Sequence, residues 1–294
     1  MKMVVLCVAT LWVTTKNAPF SDRNKSFQTF LKTFEITSSE MKIMKRILTG
    51  LLVMASLLMT QTACSPFSNG AVCLTFDDRN FNDWDNAIPL FEKYNAHATF
   101  FICGNMDERA VATMKRLQEK GHSLGLHTIN HADAPQYFEQ NGADAYLSKE
   151  VTPQLYFARK QGLKVNHFAY PNNRRNEDTD RTMFQYYRYL RAGIPGGTKG
   201  KDLRQLDALY RTLSDVRSNR VMGGAGIGSY YETDPEQLKG AIIRAAKENK
   251  IVTFFSHGIS DNPNFISIST EWLELILKTA QEHGVKVIGF DELD

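Results

Sequence analysis

Ala71-Val72-Cys73-Leu74-Thr75-Phe76-Asp77-Asp78 is a short, largely apolar run that stops at two adjacent carboxylates. It reads as a buried strand with acids at its end. Working outward, short apolar runs alternate with longer amphipathic segments, and Gly, Asn or Asp punctuates each change. This is the rhythm of a parallel sheet with helices between its strands. Ala71–Phe76, Ala98–Cys103, Ser123–Leu126, Asn166–Ala169, Ile251–Phe255 and Val285–Phe290 are expected strands. Asp107–Lys120 is an expected helix, because Val111, Met114, Leu117 and Gln118 follow a helical stripe and Gly121 supplies the stop. Another helix ends near Gly162. The glycine-rich stretch from Ile194 to Tyr230 is harder to parse, with strands expected around Ala208–Leu213 and near Arg220. Ser65 to Asp294 is 230 residues, a little under the roughly 250 of a full (β/α) barrel. The expected fold is therefore α/β: a deformed, incomplete (β/α) barrel of about seven parallel strands. A doubly wound open sheet is the alternative.

The 294-residue chain is 43% hydrophobic and 11% aromatic, a globular composition. Its net charge of +3 divides unevenly: residues 1–63 hold eight Lys or Arg and three Asp or Glu, a net of +5, which leaves −2 for the rest. A body with that balance and no basic run gives no footprint for nucleic acid. The leader reads as an address. Lys42, Lys45 and Arg46 precede an apolar run, Ile47–Met59, too short to span a bilayer comfortably, which is the form of a secretory signal. Thr62-Ala63-Cys64, followed by the Ser/Pro/Gly-containing Ser65–Gly70, resembles a bacterial lipoprotein cleavage site, although Gln61 stands where such sites usually carry Leu. The expected organisation is a non-native or disordered extension over 1–40, a signal peptide over 41–64 and one catalytic domain over 65–294. Met41 or Met44 is then the true start. The mature protein would be exported to the periplasm or cell surface of a bacterium, touching the membrane only through a lipid anchor on Cys64. Cys7 and Cys64 fall in the leader; Cys73 and Cys103 each sit in a strand-like run and read as buried small hydrophobes, with a disulfide open only if their strands are neighbours.

Three constellations carry chemistry. Asp77 and Asp78 end a parallel strand, where such folds build their sites, although Asp-Asp is also ordinary turn chemistry. His127-Thr128-Ile129-Asn130-His131 follows the third strand. Two imidazoles four residues apart lie on one face of a helical turn and can close on a single cation, and with an acid from the first strand end they make three ligands plus an open position. Phe254-Phe255-Ser256-His257-Gly258 is another apolar strand ending in a titratable group, suited to proton donation near neutral pH.

Together with Ala98-Thr99-Phe100-Phe101 and Gly121-His122-Ser123-Leu124-Gly125, these runs resemble, in order and spacing, the NodB-homology polysaccharide deacetylases of carbohydrate esterase family 4, from about residue 70 to the C terminus. The resemblance implies a deformed (β/α) barrel that removes acetyl groups from N-acetylglucosamine polymers such as peptidoglycan or chitin-like chains, or in some members from acetylated xylan. It makes Asp77 the general base, Asp78, His127 and His131 the ligands of a divalent metal, and His257 the general acid. Zinc is the natural guess for that donor set, and cobalt or nickel would also fit. An amide needs a polarised carbonyl, an activated water and a protonated leaving amine, and no nucleophile motif is required.

The pattern departs at Phe168-Ala169-Tyr170-Pro171-Asn172-Asn173. Ala169 stands where the family commonly has an arginine that braces the catalytic Asp, and Asn172 where it has a tyrosine or similar residue whose backbone amide helps hold the oxyanion. The Asn172 amide can still do that, with Tyr170 and Pro171 beside it as substrate-binding residues. Arg174, Arg175 and Arg217 are the candidates to replace the brace; the alternative is a base with a different pKa. The fourth family motif has Trp272, or Asp215 with Arg217, as candidates. Tyr170, Trp84 and Tyr230-Tyr231 are placed to stack on sugars or to pack. The alternatives to N-deacetylation are a non-catalytic glycan-binding lipoprotein on the same fold and an O-acetyl polysaccharide esterase. The sequence leaves the oligomeric state open.

Overall fold

The computed structural model describes residues 67–294. The extension over 1–40, the signal over 41–64, Cys7 and the lipidation of Cys64 lie outside those residues. In chain order the elements are β1 (Ala71–Asp78), α1 (Phe81–Lys93), β2 (Thr99–Ile102), α2 (Glu108–Glu119), β3 (Ser123–Leu126), α3 (Ala134–Asn141), α4 (Ala143–Tyr146), α5 (Thr152–Lys160), β4 (Val165–Ala169), α6 (Glu177–Met183), β5 (Tyr189–Gly193), β6 (Tyr210–Arg211), α7 (Leu213–Asn219), β7 (Val221–Gly226), α8 (Pro235–Glu248), β8 (Ile251–Ser256), α9 (Thr270–Glu282) and β9 (Lys286–Ile288). No helix among the described residues is long and apolar enough to cross a membrane.

Seven parallel strands close on themselves in the order β1-β2-β3-β4-β5-β7-β8 and back to β1, with helices outside. The ring is one strand short of eight, as its length predicts. Its deformation lies at the N-terminal ends of the strands. There β9 pairs with Ala71–Cys73, on the β1 edge that higher up joins β2 through Thr75–Asp78. In the same way antiparallel β6 takes Ile251 and Val252 of β8, while β7 takes Phe254 and Phe255. The barrel is pried apart below and tight above.

Both faces of these strands are buried, so their sequences read as continuous apolar runs. The pleat still sorts them. Val72, Leu74 and Phe76 of β1 join Phe100, Leu124 and Phe254 in the layer beneath the helices, with Trp84 and Phe91 of α1 packed on them. Ala71 and Cys73 turn inward with Phe101, Ala169, Tyr189 and Phe290. Helix α2 matches its expected stretch: Asp107 accepts from the Ala110 N–H at its start, and Ala110, Thr113, Met114 and Leu117 are its buried stripe. Cys73 and Cys103 are both free, Cys73 buried.

Two readings of the chain need correction. The expected strand over Ala208–Leu213 is only Tyr210–Arg211, because Thr212 caps α7, accepting from the Asp215 N–H while the Asp215 carboxylate accepts from the Thr212 N–H. Strand β5 is absent from the expected list. Its Arg191 interrupts the apolar pattern, yet that side chain is 1% exposed.

Candidate active site

The inward face of each strand delivers the site. Asp77 closes β1, Arg191 lies in β5, Phe255 in β8 and Phe101 in β2, and the guanidinium of Arg191 sits 5.6 Å from the Phe101 ring centre and 4.8 Å from that of Phe255. An arginine can be buried this way because its planar cation is weakly hydrated and stacks on aromatic faces. Its remaining charge is met by Asp77, whose Oδ2 accepts from Nη2, and by Asn173 Oδ1, which accepts from Nη1 at 2.6 Å. Burial alone would raise the Asp77 carboxyl, but the nearby Arg191, and then His127 and His257, hold it below the usual carboxylate range. Asp77 Oδ1 has no hydrogen-bond partner among the described residues. Asp77 borders a cavity of about 240 Å³ also lined by Asp78, His127, His131, Asn172, Tyr231 and His257.

Arg191 is therefore the brace, and none of the three expected arginines is. Arg174 faces Asp133 at 3.4 Å, Arg175 forks onto Asp180, and Arg217 donates to the Leu293 carbonyl at 2.7 Å. In the β4–β5 register Ala169 lies opposite Arg191. The missing arginine has an equivalent one strand over, at the same level of the barrel.

Asp78 differs from its neighbour. Its backbone is left-handed (φ 79°), which turns its carboxylate away from the buried position of Asp77 and leaves it 35% exposed. His127 Nδ1 donates to the Ala169 carbonyl at 2.8 Å, so Nε2 is the lone-pair nitrogen facing the cavity. Burial pushes this imidazole down to about 4, which keeps it neutral. His131 packs against it with ring centres 4.9 Å apart. One oxygen of Asp78 and one nitrogen from each histidine all lie within 4.8 Å of one another. Asp78 oxygens stand 3.9 Å from His127 Nε2 and 3.8 Å from His257 Nε2, too far for hydrogen bonds. Donors that converge without touching, two nitrogens and an oxygen with a cavity on the open side, fit a divalent cation.

The two histidines are not on a helical turn as expected. They belong to a loop in which Thr128 (φ 65°) and His131 (φ 56°) are left-handed. Buried Glu150, which the sequence reading missed, holds that loop: its carbonyl accepts from the Ile129 N–H, and its carboxylate accepts from the Asn130 N–H at 2.8 Å and from Asn130 Nδ2 at 2.7 Å. His257 follows β8. Its Nδ1 donates to the Ile266 carbonyl at 3.1 Å, and Trp84 Nε1 donates to its own carbonyl at 2.8 Å. Trp84 is thus a buried support for His257 and offers no face to a sugar.

Tyr170 reaches the cavity wall, but its ring is buried and its hydroxyl donates to Asp180 at 2.9 Å, which rules out stacking. Pro171 is buried beside it. Asn172 and Asn173 are both left-handed, a conformation asparagine tolerates better than other residues with a Cβ. The Asn172 N–H makes no hydrogen bond within the described residues. Trp272, packed against the outer layer, and Asp215, which caps α7, both lie off the cavity.

Residues 65–189 match the family profile described as polysaccharide deacetylase. Through that region the chain is similar to the polysaccharide deacetylase family. It is 28% identical over 187 residues to YxkH of Bacillus subtilis, provisionally named a polysaccharide deacetylase, covering 61% of this chain and 62% of that protein. It is 39% identical over 164 residues to a chitin deacetylase of Arthroderma benhamiae, covering 53% of this chain and 42% of the relative. The match thus spans less than two thirds of either curated relative. A family 4 carbohydrate esterase from Streptomyces lividans, solved in complex with acetate, shares the fold with a TM-score of 0.50 at 14% identity, over 74% of this chain and 91% of that one. This chain thus matches the polysaccharide deacetylase profile over residues 65–189 and shares its fold with that esterase.

Proposed function

We propose that the chain is a metal-dependent hydrolase that removes acetyl groups from an N-acetylglucosamine-containing polysaccharide, such as peptidoglycan or a chitin-like polymer. The observation that carries this reading is the meeting, at one end of one barrel, of a buried ionised carboxylate, a convergent Asp/His/His set and a separate histidine. A divalent cation held by Asp78, His127 and His131, with zinc the natural choice and cobalt or nickel equally compatible, would supply Lewis acidity to the acetyl carbonyl and to a water beside it. Asp77, kept ionised by Arg191, takes a proton from the attacking water through its free Oδ1. The Asn172 N–H is available to donate to the oxygen that becomes negative. His257, its Nδ1 committed to a carbonyl, presents Nε2 to hand a proton to the departing amine.

Ala169 was the main ground for a non-catalytic glycan-binding lipoprotein on this fold. Arg191, reaching Asp77 from β5, supplies the partner that Ala169 cannot and so supports the catalytic reading. The O-acetyl esterase reading uses the same groups with a better leaving group, and parallel assays on N- and O-acetylated oligosaccharides decide it. Export and a lipid anchor on Cys64 remain part of the proposal; metabolic labelling with a fatty acid tests the anchor, and an N-terminal sequence beginning at Met1 would overturn the Met41 or Met44 start. The central test is Asp77→Asn. Acetate release should fall about 10²- to 10⁴-fold with bound metal retained, and full activity would remove Asp77 from the role of base. Chelation should abolish release from the native protein, and readdition of zinc, cobalt or nickel should restore it.

A further inference from the structure

Phe265 and Tyr230 are 62% and 46% exposed, and their chain neighbours Ile266 and Tyr231 line the cavity. They are not isolated surface rings. Phe265 lies 5.7 Å from Tyr230, Tyr230 5.1 Å from Tyr231, and Tyr231 5.4 Å from Phe255, which carries Arg191 on its face. Since Tyr231 and Phe255 line the cavity, an aromatic strip runs without a break from open solvent to the brace of Asp77.

The strip is held in place. The Phe265 carbonyl accepts from the Tyr230 N–H at 2.8 Å and from Ser229 Oγ at 3.3 Å, and Asn264 Oδ1 accepts from the Ile266 N–H at 3.0 Å. The next carbonyl along, Ile266, accepts from Ser256 Oγ and from His257 Nδ1, both at 3.1 Å. The loop that displays Phe265 therefore also orients His257. Lys199 Nζ sits over one face of the Tyr230 ring, 4.2 Å from its centre, and puts a charged donor next to Phe265's neighbour in the strip. The largely exposed Phe265 ring, set edge-to-face against Tyr230 with a charged donor nearby, suits a pyranose ring, which has an apolar C–H face and a hydroxyl edge.

We propose that Phe265 and Tyr230 form a subsite for the pyranose adjacent to the reacting residue, so that the enzyme reads chain length here rather than the acetyl group. This assignment rests on the deacetylase reading for the identity of the glycan. It is tested with the whole protein, its metal loading held constant, by comparing the native chain with Tyr230→Ala/Phe265→Ala. Acetate release from tetra-N-acetylchitotetraose is measured against hydrolysis of 4-nitrophenyl acetate. The ratio of the two kcat/KM values should fall about tenfold through KM on the tetrasaccharide, and Phe265→Trp should preserve it. An unchanged ratio, or equal losses on both substrates, overturns the subsite; equal losses would mark a purely structural effect through His257. If the native protein hydrolyses neither substrate, the deacetylase reading fails on its own. The subsite is then judged by calorimetric titration with the same tetrasaccharide: about tenfold weaker binding by the double variant supports it, and equal or undetectable binding by both proteins overturns it.

Discussion

The two halves of the rim are built by different rules. Where β1 and β3 end, the chemical groups come as contiguous sequence: Asp77-Asp78 in one run, His127 and His131 in another. Where β4 and β5 end, the decisive group sits on the strand next to the one where the family pattern places it. The contrast shows that the barrel interior specifies a position in space, and more than one backbone position can fill it. Register partners on neighbouring parallel strands lie about 4.8 Å apart with side chains on the same face. A long arginine can thus reach Asp77 from either Ala169 or Arg191.

Arg191→Ala is the hardest blow to this comparison. It should cost about 3–5 kcal/mol in denaturant unfolding, because the buried Asp77 loses its counter-charge, and about 10²-fold in acetate release, because the base is no longer held ionised and oriented. Arg191→Ala/Ala169→Arg should then recover at least about tenfold of the activity. No recovery alongside a restored fold would show that the two positions are not interchangeable. A smaller effect is expected from Glu150→Ala. It leaves all three proposed metal donors in place but frees the loop of two of them, so metal affinity should weaken about 10- to 100-fold in a chelator competition. Unchanged affinity would mean that the β3 half needs no distant support. The smallest effect is expected at Asn172. Asn172→Gly keeps the amide and the left-handed backbone, so activity should stay within about threefold. Asn172→Val keeps the amide too but should destabilise the fold by about 1–2 kcal/mol. A large loss of activity in the glycine variant would assign the role to the asparagine side chain.

These differences also explain what was legible in the sequence. The βα alternation, the strand ends and the Asp/His residues were readable because buried parallel strands are plain apolar runs and their ends are punctuated. Strand β5 was not, since Tyr189-Leu190-Arg191-Ala192-Gly193 carries a cation in its middle. The residue that obscured the strand is the one the site depends on. A lone arginine in an apolar five-residue run was the available signal. The geometry of the histidine pair was hidden for another reason: a spacing of four suggests a helix, and only the left-handed Thr128 and His131 bring the rings together in a loop. Glu150 acts through the backbone of residues about twenty positions away, beyond the reach of local patterning. For Trp84 and Tyr170 the choice between stacking on a sugar and packing stayed open, because an aromatic residue near a motif says nothing of which way it faces.

The two-storey pairing of β1 bears on how this molecule comes to exist. Its long edge needs β8, with Ala71 opposite Ile251, and its lower edge needs β9, with Ala71 opposite Lys286. The first of the described strands to be synthesised thus waits for nearly the last of them. Until then its β8 edge and the lower part of the other edge stay unpaired, and contacts so distant along the chain slow acquisition of the native state and lengthen exposure to self-association.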